Sequence, residues 1–214
     1  VSVVMLAQNS AETLDRALAS VRAFDEVVVV DGGSVDATAS IAAAYPNVVW
    51  RVHPFRGFAE QRNFALRQAS HPWCLVLDSD ETATPELVEG IASRRWEDAP
   101  TSLYYVMRTD WFMGRELDSG YARSTSHARF FRKARVDYRG HVHESPFVDG
   151  RKPHRDAEWV GTLPADWRIL HRPDNDIEDE LARIGTYSLL KAPARIEAAE
   201  PNSAAGVVYG PGTA

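Results

Sequence analysis

The apolar positions of this chain switch repeatedly between the unbroken runs of a buried strand and the spacing of an amphipathic helix. Val1 to Ala7 is an almost continuous apolar run, Ala11 to Val21 repeats its apolar residues at helical spacing, Val27 to Val30 is a second run and Val35 to Ala44 a second helical stretch. That βαβα order predicts a parallel sheet, because strands covered on both faces by crossover helices read as continuous runs instead of alternating ones. A third strand is expected at Val48 to Val52, a helix at Gly57 to Ala69 and a fourth strand at Trp73 to Leu77. The next helix carries explicit start signals: Thr84 is placed to cap it, Pro85 suits the first helical position and Glu86 favours the positive end of the dipole. Beyond Pro100 the pattern breaks into the strand-like pieces Leu103 to Arg108, Ala128 to Arg132 and Trp167 to Leu170, so the second half is expected to be mixed and partly antiparallel. A last amphipathic helix is expected at Ile177 to Leu190, on Leu181, Ile184 and Leu189, followed after Pro193 by an Ala-, Gly- and Pro-rich tail with little to bury.

At 214 residues and 44% hydrophobic content the chain can bury one sizeable core, and no repeat or linker divides it. A single domain over residues 1–192 with an irregular tail at 193–214 is the expected organisation. The net charge of −6 argues against nonspecific nucleic-acid binding. The one cysteine, Cys74, sits inside an apolar run and excludes an intrachain disulfide framework, which suits a reducing compartment. No stretch approaches the roughly 18 apolar residues of a membrane span, and Val1 to Ala7 lacks the basic flank and length of a signal peptide. The expected location is the cytoplasm, or the periphery of a membrane surface.

The chemistry concentrates at strand ends. Asp78-Ser79-Asp80-Glu81 follows the fourth apolar run, at the edge where open α/β sheets bind ligands. In an extended backbone Asp78 and Asp80 project to the same side and can converge on one hard cation, while a solvated turn is the plainer use of such a tripeptide. The turn Asp31-Gly32-Gly33-Ser34-Val35-Asp36-Ala37-Thr38 combines a carboxylate, close-approach glycines and a helix start, which suits a nucleoside; an ordinary strand-to-helix turn needs the same residue types. Arg62 lies on the apolar stripe Phe58, Ala65, Leu66, Ala69 and there needs an anion, either strand-end carboxylates or a phosphate, unless it snorkels to the sheet edge. Arg123, Arg129, Arg132, Lys133, Arg135 and Arg139 stand against Asp137 alone, suited either to a phosphorylated glycolipid or to a solvated strand face.

These segments, with the opening strand ending at Gln8-Asn9, the stretch Gly57-Phe58-Ala59-Glu60-Gln61-Arg62-Asn63, then Arg129-Phe130-Phe131-Arg132, Gly140-His141-Val142-His143-Glu144 and Leu170-His171, follow one another in a specific order. In that order the chain resembles an inverting family 2 glycosyltransferase of GT-A fold, in the lipopolysaccharide-core β-glucosyltransferase-like branch, over most of its length. The fold so implied is α/β, a mostly parallel Rossmann-like sheet flanked by helices, with a nucleotide-sugar half at 1–100 and a partly antiparallel acceptor half at 101–192. The chain departs from the pattern at Gln8-Asn9-Ser10, where relatives often have Asn-Glu, and it lacks the further helical or membrane-associating sequence with which relatives commonly continue.

The resemblance implies metal-dependent transfer of a hexose, glucose, from a UDP-sugar to a hydroxyl of a cell-envelope glycan or glycolipid such as lipopolysaccharide core. It implies donor binding by Asn9, Asp31, Gly32, Asn63, Asp78 and Ser79, Arg62 near the phosphates, and Mg²⁺ or Mn²⁺ on Asp80 and Asp78. Glu144 is the expected base, with Asp118 and Glu81 as alternatives. Trp111, Arg129, Arg132, His141 and His143 are acceptor or phosphate candidates, the histidines also serving a structural or ligating role, and Trp111, Phe112 and Tyr121 form either a sugar platform in a loop with Gly114 and Gly120 or plain core. A sugar nucleotidyltransferase would need a Gly-rich basic loop near the first strand, which Gln8-Asn9-Ser10 does not supply. A silent glycan-binding or scaffold protein would have no use for both carboxylate clusters.

Overall fold

The structure is a computed structural model that describes residues 1–94, 96–97, 100–112, 115–116, 125–140 and 144–172. The chain begins β1 (Ser2–Ala7), α1 (Leu14–Ser20), β2 (Glu26–Asp31), α2 (Thr38–Ala43), β3 (Val48–Val52), α3 (Phe58–Gln68) and β4 (Trp73–Asp78), each within a few residues of its expected place. α1 starts later than the apolar pattern does, because the Ser10 carbonyl accepts the amides of Thr13 at 3.1 Å and Leu14 at 2.9 Å and turns residues 11–13 before the helix begins. Gly57 precedes α3 at φ +130°, a backbone region open to glycine alone. α4 (Pro85–Ala92) has the expected cap, the Thr84 hydroxyl accepting from the Leu87 amide at 3.3 Å.

The second half adds β5 (Glu81–Ala83) before α4, then β6 (Leu103–Phe112), β7 (Arg115–Glu116), β8 (Thr125–Arg132), β9 (Val136–Arg139), β10 (Ser145–Val148), β11 (Val160–Thr162) and β12 (Arg168–His171). The sheet runs β3-β2-β1-β4-β8-β6-β12-β5, with β7 and β11 also on β6 and with β9 and β10 as a separate antiparallel pair. β3, β2, β1 and β4 are parallel, whereas β8 is antiparallel to both β4 and β6. This is the mixed, mostly parallel α/β sheet expected.

Successive residues of the central strands feed different layers. Val3, Met5, Leu75 and Leu77 pack with Leu14, Leu18, Leu87 and Ile91 of α1 and α4. Val4, Val28, Cys74 and Val76 pack with Ala65 and Leu66 of α3 and with Tyr138 and Val148 of the β9–β10 pair. Each fully buried Val or Leu contributes about 1.5–3 kcal/mol, so both faces demand apolar residues and the strands read as unbroken runs. Cys74 is a packed hydrophobe, its thiol pushed up to about 12 by burial. No helix among the described residues is long and apolar enough to cross a membrane. The expected helix at 177–190 and the domain end at residue 192 lie outside the described residues.

Candidate active site

From β1 the strand order runs through β2 to β3 on one side and directly to β4 on the other, so the carboxyl ends of β1 and β4 flank the point where the order reverses. Pairing sets Ala7 opposite Asp31 and Leu6 opposite Asp78, bringing the three following loops together. Their side chains tie the loops to one another. Asn9, at φ +49°, donates its amide to the Ser34 hydroxyl at 2.8 Å, while its side-chain oxygen accepts from the Val35 amide at 3.0 Å. The Ser10 amide reaches Thr38 Oγ1 at 2.8 Å, and the Ser10 and Ser79 hydroxyls lie 2.9 Å apart, bridging the β1 and β4 loops. Asp31, almost fully buried, accepts from the amides of Gly33 and Ser34 and so shapes its own turn. Gly32 lies under the Gln8 side chain, where an added Cβ would come within 3.0 Å of the Gln8 amide oxygen.

The extended geometry expected of Asp78 and Asp80 is not what forms. β4 ends at Asp78 and residues 79–80 make a turn, because the Asp78 amide is claimed by the Glu81 carboxylate at 2.9 Å. The two aspartates consequently have separate partners: Asp78 Oδ1 accepts from Arg62 at 2.7 Å and Oδ2 from Arg129 at 2.9 Å, whereas Asp80 Oδ2 lies 3.1 Å from His171 Nε2.

These contacts belong to a continuous ladder of alternating charge. From Glu144 it passes to Arg62 at 2.9 Å, to Asp78, to Arg129 and to Glu81 at 2.8 Å. From Glu81 it continues to Arg108 at 3.4 Å, to Asp110 at 2.9 Å, to His171 at 2.8 Å and to Asp80. Burial alone would raise the Asp78 carboxyl, but Arg129 and Arg62 hold it well below the usual carboxylate range. Glu81 is completely enclosed and burial pushes it up despite Arg129. Burial opposes a proton on His171, but its hydrogen bonds to Asp110 and Asp80 outweigh that and push it up to about 9.

Beside the ladder a cavity of about 440 Å³ opens between β6, β8, β9 and β10, lined by Arg62, Asp78, Arg108, Arg129, Glu144 and Lys152 among others. His127, also in its wall, is held down to about 4 by burial and by Arg129 and Arg108, so its imidazole is neutral at pH 7. A second cavity of about 330 Å³, beside Val1 and Trp73, lies at the amino ends of β1 and β4, away from this chemistry.

The expected site residues therefore divide. Asn9, Asp31, Gly32, Ser79, Asp78 and Asp80 meet at the strand reversal, and Arg62, Arg129 and Glu144 join them through the ladder. Asn63 has both ends of its amide on the Tyr138 backbone, at 2.9 and 2.8 Å, clamping α3 to β9. Arg132 stacks over Trp73 at the far end of β4, Arg135 pairs with Asp149 and Arg139 with Asp137, so the basic run forms no single patch and only Arg129 of its described members reaches the site. Trp111 lies under the Arg172 guanidinium, 4.1 Å from its carbon. His141, His143, Asp118, Tyr121, Gly114 and Gly120 lie outside the described residues, and so does the side chain of Phe112. Sequence reasoning missed Arg108, Asp110 and the contact of His171 with Asp80. The signal lies in the pairing of β6 with β12, which sets His171 opposite Asp110.

The family model of Glycosyl transferase family 2 matches residues 2–152. The chain is 28% identical over 202 residues to the lipopolysaccharide core biosynthesis glycosyltransferase LpsC of Rhizobium meliloti, covering 92% of this chain and 72% of LpsC. It is 39% identical over 101 residues to the succinoglycan biosynthesis protein ExoO of the same organism, covering 44% of this chain but only 29% of ExoO. Among solved structures it is similar to S. aureus TarS in complex with UDP-GlcNAc, with TM-score 0.60, 18% identity and coverage of 94% of this chain and 67% of the other. It is also similar to the glucosyl-3-phosphoglycerate synthase of Mycobacterium tuberculosis in complex with Mn²⁺, UDP and phosphoglyceric acid, with TM-score 0.55, 18% identity and coverage of 96% and 81%. The fold is that of the GT-A glycosyltransferases.

Proposed function

The chain belongs to glycosyl transferase family 2, and on that premise we propose that it moves a hexose, glucose, from a UDP-sugar to a hydroxyl of a cell-envelope glycan or glycolipid such as lipopolysaccharide core, inverting the anomeric centre with the help of a divalent cation. One observation carries the reading: the loops after β1, β2 and β4 converge where the strand order reverses, and Asp78 in that crevice is bonded through Arg62 to Glu144. The UDP complexes of TarS and the synthase support the donor class, and the roles of LpsC and ExoO in lipopolysaccharide core and succinoglycan biosynthesis support a glycan acceptor. The work is done in the cytoplasm or at the cytoplasmic face of the membrane.

In this reading Asn9, Asp31, Gly32, Asp78 and Ser79 form the nucleoside crevice, and Glu144 takes the proton of the acceptor hydroxyl. The hydroxyl oxygen bonds to the anomeric carbon from the side opposite the diphosphate. The bond from that carbon to the diphosphate oxygen breaks, and UDP leaves with the electron pair. Asp80 and His171, a carboxylate and an imidazole 3.1 Å apart, would hold Mg²⁺ or Mn²⁺, the cation taking the place of the proton that Asp80 and Asp110 otherwise keep on His171. When bound, such a cation would supply charge neutralisation for the departing diphosphate. Asp78, with both oxygens engaged by guanidinium groups, instead orients Arg62 and Arg129.

A panel of UDP-, GDP-, ADP- and CMP-sugars in thermal-shift titrations tests the donor. UDP at about 100 times its Kd should stabilise the fold by about 2.7 kcal/mol with Mn²⁺, and EDTA should remove most of that gain. Asp80→Asn should fold normally, its side chain being a third exposed, and should abolish the metal-dependent part. Asp110→Asn should weaken Mn²⁺ binding by about 10–100-fold, because Asp110 fixes the His171 ring from the Nδ1 side. Equal stabilisation by UDP with and without EDTA would count against the cation's role.

A further inference from the structure

Arg62 sits deep in the wall of the cavity beside the ladder, with 6% of its surface exposed. Its Nε bonds Glu144 and its Nη2 bonds Asp78, but Nη1 is buried with no hydrogen-bond partner among the described residues. A guanidinium always carries its charge, and leaving one of its donors buried and unmet costs about 1–3 kcal/mol or more, a cost that an acceptor bound beside it would relieve. Arg108 Nε, in the same wall, is likewise buried without a partner among the described residues. Lys152 is exposed at the rim and makes no ion pair there with a described carboxylate. The lining thus holds Arg62, Arg108, Arg129 and Lys152 with Asp78 and Glu144, and since Arg108 and Arg129 are also paired with Asp110 and Glu81 outside the lining, Lys152 is the lining cation that makes no ion pair with a described carboxylate.

The cavity is distinct from the nucleotide crevice. It shares Asp78 and Arg62 with it, but none of Asn9, Asp31, Gly32, Ser79, Asp80 or His171 lines it. Its remaining walls come from β6, β8, β9, β10 and the segment through Lys152, on the acceptor side of Asp78. Glu144, the candidate base, lines the same space and touches Arg62 at 2.9 Å.

We propose that this cavity is an acceptor subsite for an anionic group, a phosphate or carboxylate carried by the sugar residue that presents its hydroxyl to Glu144 or by the residue next to it. Arg62, in the cavity wall, supplies charge and donors at its base, and Lys152 meets the anion at the rim. The proposal rests on the glycosyltransferase reading for the word acceptor, while the anion site itself does not depend on it.

The test is isothermal titration of the whole chain with inorganic phosphate, glucose 6-phosphate, glucuronate and glucose at fixed ionic strength, without UDP and again at saturating UDP and Mn²⁺. At least one of the two anionic sugars should bind at least tenfold more tightly than glucose, in both series. Preference for glucose 6-phosphate identifies phosphate as the recognised group, and preference for glucuronate identifies carboxylate. Lys152→Gln, at an exposed position, should lower anion affinity about tenfold and leave UDP affinity unchanged. Anion binding no tighter than glucose, or indifferent to Lys152→Gln, overturns the proposal. Anion binding abolished by UDP also overturns it, by reassigning the cavity to the donor's phosphates. Failure of UDP to bind while the anions still do so leaves the subsite standing and removes the donor reading instead.

Discussion

Glu144→Gln is expected to lower sugar transfer by about 10²–10⁴-fold, the usual loss when a general base is removed, with UDP and Mn²⁺ binding within about twofold of the parent. The substitution is matched to the geometry. Glu144 Oε1 accepts from Arg62 Nε at 2.9 Å, and a glutamine carbonyl can accept that same hydrogen bond, so the arginine and Asp78 beyond it stay in place. What glutamine cannot do is take the proton from the acceptor hydroxyl. Glu81, the described alternative, is completely buried, bonded to Arg129 and to the Asp78 amide, and has no path to an acceptor hydroxyl. Single-turnover transfer at saturating donor, measured beside a UDP titration, separates chemistry from binding. Transfer within a few-fold of the parent would remove Glu144 as the base.

Most of this arrangement is readable from the chain where one residue type has one physical use. Trp73 to Leu77 reads as a strand buried on both faces, Thr84-Pro85-Glu86 as the opening of a helix, and an arginine on the Ala65–Leu66 stripe must find an anion or snorkel to the sheet edge. What is not readable depends on contacts between segments far apart in sequence. Asp80 and His171 are 91 residues apart, and Arg62 and Glu144 are 82 apart; pattern analysis assigns each to an element but cannot say which elements are neighbours. The Asp78–Asp80 geometry is hidden for a local reason: strand parity ends at Asp78, where the buried Glu81 draws the backbone into a turn. Short strands such as β5 and β11, three residues each, have too few positions to show a period, and their pairing alone defines them.

The ladder also makes a stability prediction. Arg129→Gln is expected to destabilise the fold by about 3–5 kcal/mol, the usual cost of removing one member of a buried ion pair, or about 6–20 °C in Tm for a chain of this size. Arg129 is the link that lies between two carboxylates, Asp78 at 2.9 Å and Glu81 at 2.8 Å, and without it two like charges face each other. The sign of the pH dependence follows. Burial already raises the Glu81 carboxyl, and a group raised in the folded state binds its proton more readily there than in the unfolded chain, so its contribution to stability declines as pH rises above its ordinary value of 4.5. Losing Arg129 removes the charge that opposes this rise, so the gap between variant and parent should be smaller at about pH 5 than at about pH 8, because acidification favours the proton on Glu81. Adding Glu81→Gln to Arg129→Gln should recover part of the loss at the higher pH, because a neutral amide at 81 still accepts from the Asp78 amide without repelling its carboxylate. Chemical denaturation of the parent, both single variants and the double variant at the two pH values closes the cycle. If Arg129→Gln costs under about 1 kcal/mol, or the double variant is no better than Arg129→Gln alone, then Arg129 is not the bond that keeps two buried carboxylates together, and the ladder is a set of independent pairs.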